Sequence, residues 1–255
     1  MCRLISKMMR LDVYLAENNF ASSRTEAKNF IIEGKIYVDG KCVTKPSFEL
    51  TDNEHQIKVE DNAKKYVSRG GFKLESAIKA FDFDITGRRA LDIGASSGGF
   101  TDCLLKHGAV SVIALDSGTG QLVKSLREDE RVTVIENYNA RYMKREDLIY
   151  IPDIVVMDVS FISATYIIPS IYECINNDGD FICLIKPQFE VGKSNISKGG
   201  IVKSESARIA AIEKVVAFAK MTGFSHLGTV TSDITGGDGN IEYLAHFRKC
   251  AKGEL

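Results

Sequence analysis

Residues Ala90-Leu91-Asp92-Ile93-Gly94-Ala95-Ser96-Ser97-Gly98-Gly99-Phe100 form an apolar run that ends in a glycine-rich turn, and the next apolar run closes on Asp116. A chain written this way is committed to a strand, a tight turn and a helix that folds back, because near-continuous apolar strands need both faces of their sheet covered. The turn also carries chemistry. Glycines let the backbone approach a ligand, a helix N-terminus presents unpaired N–H groups, and an acid after the second strand can accept hydrogen bonds from both hydroxyls of a ribose. Asp92, Gly94, Ser96, Gly98 and Asp116 are therefore the expected contacts to a nucleoside cofactor. Position 96 is Ser where a dinucleotide fingerprint has the glycine that admits a pyrophosphate. The turn thus suits S-adenosyl-L-methionine, which has no phosphate, better than NAD. Asn137 or Asn139, after the apolar run 132–136, is expected to meet the adenine.

Alternation continues to the end of the chain. The pattern predicts helix 73–83, strand 89–94, helix 99–107, strand 110–116, helix 120–129, strand 132–136, strand 154–158, helix 163–176, strand 180–186, helix 203–222 and strands near 225–232 and 241–247. This is a Rossmann-like α/β sheet. The last two strands follow each other without a helix, joined across Thr235–Asn240, so they should close the sheet as an antiparallel hairpin. That ending fits the methyltransferase form of the doubly wound fold and not a dehydrogenase.

Before this sheet lies a smaller α+β pattern. Ser23-Arg24-Thr25-Glu26 is a capping box, Gly34 stops the helix it opens, and Asp39-Gly40 is a hairpin signal between Ile36-Tyr37-Val38 and Cys42-Val43-Thr44. The expected organisation is a small domain over 1–60, a polar linker over 61–68 and a large domain over 69–255. Net charge is only −1, so a nucleic-acid surface requires uneven charge, and residues 1–45 carry eight Lys/Arg against five acids. Arg24 and Lys28 are four apart on one helical face, beside Lys35, Lys41 and Lys45 of the hairpin. The segment Arg10-Leu11-Asp12 followed by Ser23-Arg24, Ala27-Lys28 and Gly34-Lys35-Ile36 resembles the S-four-type RNA-binding domain. The resemblance implies that this helix and hairpin lie on structured RNA, with Arg10, Arg24, Lys28, Lys35, Lys41 and the later Arg69 as contacts.

Ligands in such sheets bind beyond the carboxyl ends of the strands. There the sequence places Asp158-Val159-Ser160-Phe161 and Lys186-Pro187-Gln188-Phe189-Glu190. A lysine closing the apolar strand Phe181–Ile185 is expensive unless it is paired or employed. Lys73 before the first helix of the large domain, Asp158, Lys186 and Glu242 on the last strand match in order the tetrad of the FtsJ-like ribose 2′-O-methyltransferases. With the small domain, the chain resembles the TlyA family over nearly its whole length, including Lys198-Gly199-Gly200-Ile201-Val202; the linker departs, with Lys64-Lys65-Tyr66-Val67 in place of Arg-x-Trp-Val. The resemblance implies S-adenosylmethionine-dependent methylation of cytidine 2′-hydroxyls in 16S or 23S ribosomal RNA within ribosomal subunits. It also implies Lys186 as the group that takes or orients the hydroxyl proton, with Lys73, Asp158 and Glu242 around it. Gln188, Phe189 and the 192–203 loop are expected to cover the target nucleotide.

Composition bears on the rival classes. The chain is 44% apolar and 26% charged, has no apolar stretch of membrane-span length, and interrupts its N-terminus with Arg3, Lys7, Arg10 and Asp12. A direct membrane-active haemolysin and stable membrane association are therefore not expected. Six cysteines without a C-x-x-C pair read as reduced thiols, and four scattered histidines form no metal-ligand spacing. The expectations are a cytoplasmic monomer that needs no metal.

Overall fold

The computed structural model describes residues 8–21, 23–32, 34–51, 55–59, 65–236 and 239–250. Part of the expected linker, 61–64, and part of the expected hairpin turn, 237–238, lie outside the described residues. The chain divides into two compact units, Met1–Lys65 and Tyr66–Leu255.

In the first unit, β1 (Met9–Arg10) leads into α1 (Leu11–Glu17) and then α2 (Arg24–Ile32), β2 (Ile36–Val38), β3 (Lys41–Cys42), β4 (Glu49–Leu50) and β5 (Ile57–Val59). Strands β3, β2 and β5 form one antiparallel sheet, and β1 pairs with β4. Asp39 and Gly40 both have positive φ, as a two-residue hairpin turn of the predicted kind requires. The Glu26 amide donates to Ser23 Oγ at 3.2 Å, the main half of the predicted capping box. Leu11, Leu15, Ala27, Ile31 and Ile36 are fully buried and make the core.

The second unit runs α3 (Gly70–Phe81), β6 (Arg89–Ile93), α4 (Gly99–Lys106), β7 (Ser111–Leu115), α5 (Lys124–Arg127), β8 (Val132–Ile135), β9 (Ile154–Met157), α6 (Ile168–Cys174), β10 (Asp180–Ile185), α7 (Pro187–Glu190), α8 (Glu205–Thr222), β11 (Phe224–Thr231) and β12 (Tyr243–Lys249). One seven-stranded sheet has the order β11-β12-β10-β9-β6-β7-β8. Strands β10, β9, β6, β7 and β8 are parallel, and β12 is antiparallel to both β10 and β11, as the sequence predicts. Alternate residues feed two cores. Leu91, Ile93, Val155 and Phe181 pack on the face covered by α6 and α8, while Ala90, Val112, Val156 and Ile182 pack on the opposite face with residues of α3 and α4. Each fully buried Val, Leu, Ile or Phe side chain among them contributes roughly 1.5–3 kcal/mol. Among the described residues, no helix is long and apolar enough to cross a membrane.

Three helices differ from the expectation. The helix predicted over 120–129 forms only as α5, because Gly120 takes φ +68 and Val123 is extended, so the helical backbone starts only at Lys124. The helix predicted over 163–176 is split into a 3-10 turn, Ala164–Tyr166, and α6, with Pro169 near the start of α6. Helix α3 begins at Gly70, so Lys73 stands in its first turn and not before it. Tyr66 is buried and the Val67 amide donates to Asp102 Oδ2 at 2.9 Å, so the end of the expected linker is packed onto α4.

Candidate active site

Five residues singled out in the sequence fall on one edge of the sheet. Gly94, Asp116, Asp158 and Lys186 each follow directly on the last residue of β6, β7, β9 and β10, and Glu242 directly precedes β12. Because β12 is antiparallel to β10 and Ile185 pairs with Tyr243, Glu242 emerges at the same edge as Lys186. Glu242, expected on the last strand, lies just before it.

At this edge opens a cleft of about 500 Å³ whose lining includes Gly94, Ser96, Asp116, Asn139, Asp158 and Phe161. Gly94 has φ +83, and a Cβ there would overlap the Asp158 carbonyl, so only glycine lets the two strand ends close up. The Asp116 carboxylate is fixed from both sides, Oδ2 by the Ser96 amide at 2.8 Å and Oδ1 by the Gly118 amide at 2.7 Å. Asn139 lines the cleft while its Oδ1 accepts from the Arg141 amide at 3.1 Å.

Three predicted cofactor residues stand elsewhere. Gly98 does not line the cleft; a Cβ on it would overlap Leu126, and its glycine serves the packing of α5 beneath the turn. Asn137 is exposed, takes φ 54, and its amide donates to the Gly118 carbonyl at 3.0 Å, so of the two asparagines it is Asn139 that reaches the cleft. Asp92 is fully buried on β6; Oδ2 accepts from Thr101 Oγ1 at 2.6 Å and Oδ1 has no hydrogen-bond partner among the described residues. Burial, reinforced by the negative charges of Asp158 and Asp116, pushes its carboxyl up to about 7.

The tetrad resolves into two ion pairs. Lys73 Nζ meets Glu242 Oε2 at 2.5 Å, both side chains nearly closed off from water. Lys186 Nζ lies 2.5 Å from Asp158 Oδ1 and donates to Ser160 Oγ at 2.8 Å, and both Asp158 and Ser160 line the cleft. Ser160 and Phe161 belong to the Asp158–Phe161 motif, and the sequence assigns neither a role. Phe161 is 91% exposed at φ 64, a costly conformation for a bulky residue, and its ring is 5.2 Å from that of Phe189.

In the small unit the predicted RNA contacts are not equally free. Arg10 Nε and Arg24 Nε both donate to the buried Asp12 carboxylate at 2.9 Å. Burial alone would raise the Asp12 carboxyl, but hydrogen bonds from Arg10 and Arg24 outweigh it and hold the group below its usual range. Arg24 therefore ties α2 to α1, and Arg10 holds the same carboxylate from the residue that precedes α1, as well as both presenting charge. Lys28 is half-buried on α2, Lys35 half-buried just before β2, and Lys41 exposed on β3. Arg69 belongs to the second unit, at the position preceding α3.

The FtsJ-like methyltransferase family is matched over residues 66–249, the whole sheet just described. The chain belongs to the FtsJ-like methyltransferase family. The S4 domain is matched over residues 9–55. The chain is 45% identical over 240 residues to hemolysin A of Brachyspira hyodysenteriae, covering 94% of this chain and 99% of that protein. It is 40% identical to the 16S/23S rRNA (cytidine-2′-O)-methyltransferase TlyA of Mycobacterium tuberculosis over 96% of this chain and 91% of that one. A Streptococcus thermophilus structure named as a candidate hemolysin superposes with a TM-score of 0.76 at 40% identity, covering 95% and 89% of the two chains. The FtsJ-like unit is thus a methyltransferase, with an S4 domain ahead of it.

Proposed function

We propose that this chain transfers a methyl group from S-adenosylmethionine to the ribose 2′-hydroxyl of cytidine in 16S or 23S ribosomal RNA, within ribosomal subunits of the cytoplasm. The observation that carries the reading is the Lys186–Asp158 pair beside a cleft lined by the Asp116 carboxylate. The cleft suits the cofactor. Its volume is that of a site for one small ligand, Asp116 offers fixed carboxylate oxygens to ribose hydroxyls, and the Gly94 backbone forms a wall that a side chain would fill. Asp116, Asn139, Ser96 and Gly94 would hold it. Bound there, S-adenosylmethionine supplies an electrophilic methyl on a sulfonium.

A ribose hydroxyl must lose its proton as its oxygen bonds to the methyl and the carbon–sulfur bond breaks. Lys186 is the group assigned to that proton. Lys186 Nζ donates to Ser160 Oγ and stands in charge contact with Asp158 Oδ1, which together hold it at the cleft where the 2′-oxygen arrives. As a neutral amine Lys186 accepts the hydroxyl proton, and as an ammonium it donates to the 2′-oxygen and orients it. Lys73 is bound to Glu242, so it enters the site as a charge-compensated pair. Phe161 and Phe189 supply an aromatic surface against which an unstacked base can lie. Lys28, Lys35 and Lys41 of the S4 domain supply phosphate contacts.

The test is methyl transfer from labelled S-adenosylmethionine to purified small and large ribosomal subunits, with 2′-O-methyl positions mapped on the RNA. Label on cytidine ribose is the expected result. Label on a base, or none on either subunit, refutes the reading.

A further inference from the structure

The sequence motif Lys186-Pro187-Gln188-Phe189-Glu190 ends in a carboxylate for which the chemistry above has no use, yet Glu190 is among the most closed-off charges of the molecule, its side chain 2% exposed. Its partners come from two other segments. Oε1 accepts from the Ala164 amide at 2.7 Å and Oε2 from Ser163 Oγ at 2.6 Å, both in the segment that leaves β9 through Asp158 and Ser160. Lys214, on the long helix α8, donates to Oε2 at 2.9 Å and to the Glu190 carbonyl at 3.0 Å.

We propose that Glu190, clamped by Lys214, is the positioning residue that fixes Lys186 against Asp158 and Ser160. This rests on Lys186 being the catalytic group of the proposed function. Lys186 and its two partners stand on separate strand-end segments, and a contact between them is only as constant as the distance between those segments. Glu190 ties the segments together four residues after Lys186 and three after Ser160. The helical turn Pro187–Glu190, opened by a proline of fixed φ, transmits that tie to Lys186 with little slack. Lys214 compensates the buried charge and anchors the assembly to the long helix α8. Neither residue needs to touch the nucleotide or the cofactor.

The experiment is single-turnover methyl transfer to ribosomal subunits at saturating S-adenosylmethionine, with Glu190→Gln and Lys214→Met each made alone and on Lys186→Ala. Gln keeps one oxygen for the Ala164 amide but turns an N–H group toward Lys214 or Ser163. Loosening of the pair should cost about 10- to 100-fold in rate for Glu190→Gln, with unchanged subunit and cofactor affinity. In the cofactor-free protein, hydrogen exchange should speed up over residues 158–165 and 186–192 and stay as it was in β6 and β7. A residue acting through Lys186 has nothing left to position in Lys186→Ala, so the same substitution there should leave the residual rate unchanged. A merely structural residue would cost the same factor in both backgrounds, which overturns the proposal. So does a wild-type rate in folded Glu190→Gln, and if that variant does not fold, a wild-type rate in Lys214→Met. A wild-type rate in Lys186→Ala alone would remove the catalytic assignment as well, which separates that failure from this one.

Discussion

The two lysines of the tetrad should respond differently to removal. Lys73 and Glu242 form an ion pair 2.5 Å apart whose side chains are 10% and 3% exposed. Replacing Lys73 by Met leaves the Glu242 carboxylate buried without its counter-charge, which costs about 3–5 kcal/mol. For a domain of this size, about 2–4 °C of melting temperature is lost per kcal/mol, so Lys73→Met should melt roughly 6–20 °C lower. Adding Glu242→Leu removes the stranded charge and should restore most of that loss, since an apolar pair of similar volume is often no less stable than a buried ion pair. Methyl transfer should be lost in both variants. Lys186→Ala behaves otherwise: Asp158 lines the open cleft, where water can replace the amine, so the cost should be about 1–2 kcal/mol while the rate falls by about 10²–10⁴-fold. Calorimetric melting of the four proteins, with subunit methylation measured alongside, reads both quantities. A Lys73→Met protein melting within about 2 °C of wild type, or a double variant no more stable than the single one, would refute the assignment of Lys73 to a buried structural pair.

Asp116→Ala should weaken S-adenosylmethionine binding at least tenfold by titration calorimetry, because it removes a charged acceptor worth about 1.5–3 kcal/mol and releases the Ser96 and Gly118 amides that shape the turn; unchanged affinity would move the ribose contact elsewhere. Asp92 has a folded pKa near 7 against about 4 unfolded, so between these values the native state binds the extra proton and stability falls as pH rises, by at most roughly 4 kcal/mol. Asp92→Asn should flatten that slope in chemical denaturation at pH 5 and pH 8, and an unaltered slope would show that another group causes it. Arg24→Glu should lower the stability of the S4 domain by placing like charge on the buried Asp12, whereas Lys28→Glu should leave stability near wild type and reduce the salt slope of subunit binding by about one unit; equal melting of the two variants would show that Arg24 has no structural role.

Strand identities, the antiparallel last strand and the positions of Gly94, Asp116, Asp158 and Lys186 were legible because each is a local signal: an apolar run, then a polar residue where the run stops. Sequence also determined that such residues would share one edge, since parallel strands all deliver their carboxyl ends to the same side. What it could not determine is which charge meets which. Lys73 pairs with Glu242 across 169 residues of chain, and Glu190 joins Ser163 to Lys214, through contacts that exist only once helices have packed on the sheet. The same holds for Arg24, which reads as a free cation on a helical face until tertiary packing brings Asp12 under it. Asn137 and Asn139 are two residues apart and chemically identical, and only the backbone path after β8 decides that Asn139 faces the cleft. Periodicity encodes where a side chain leaves its own element; the partner it finds is set by the packing of elements distant in sequence.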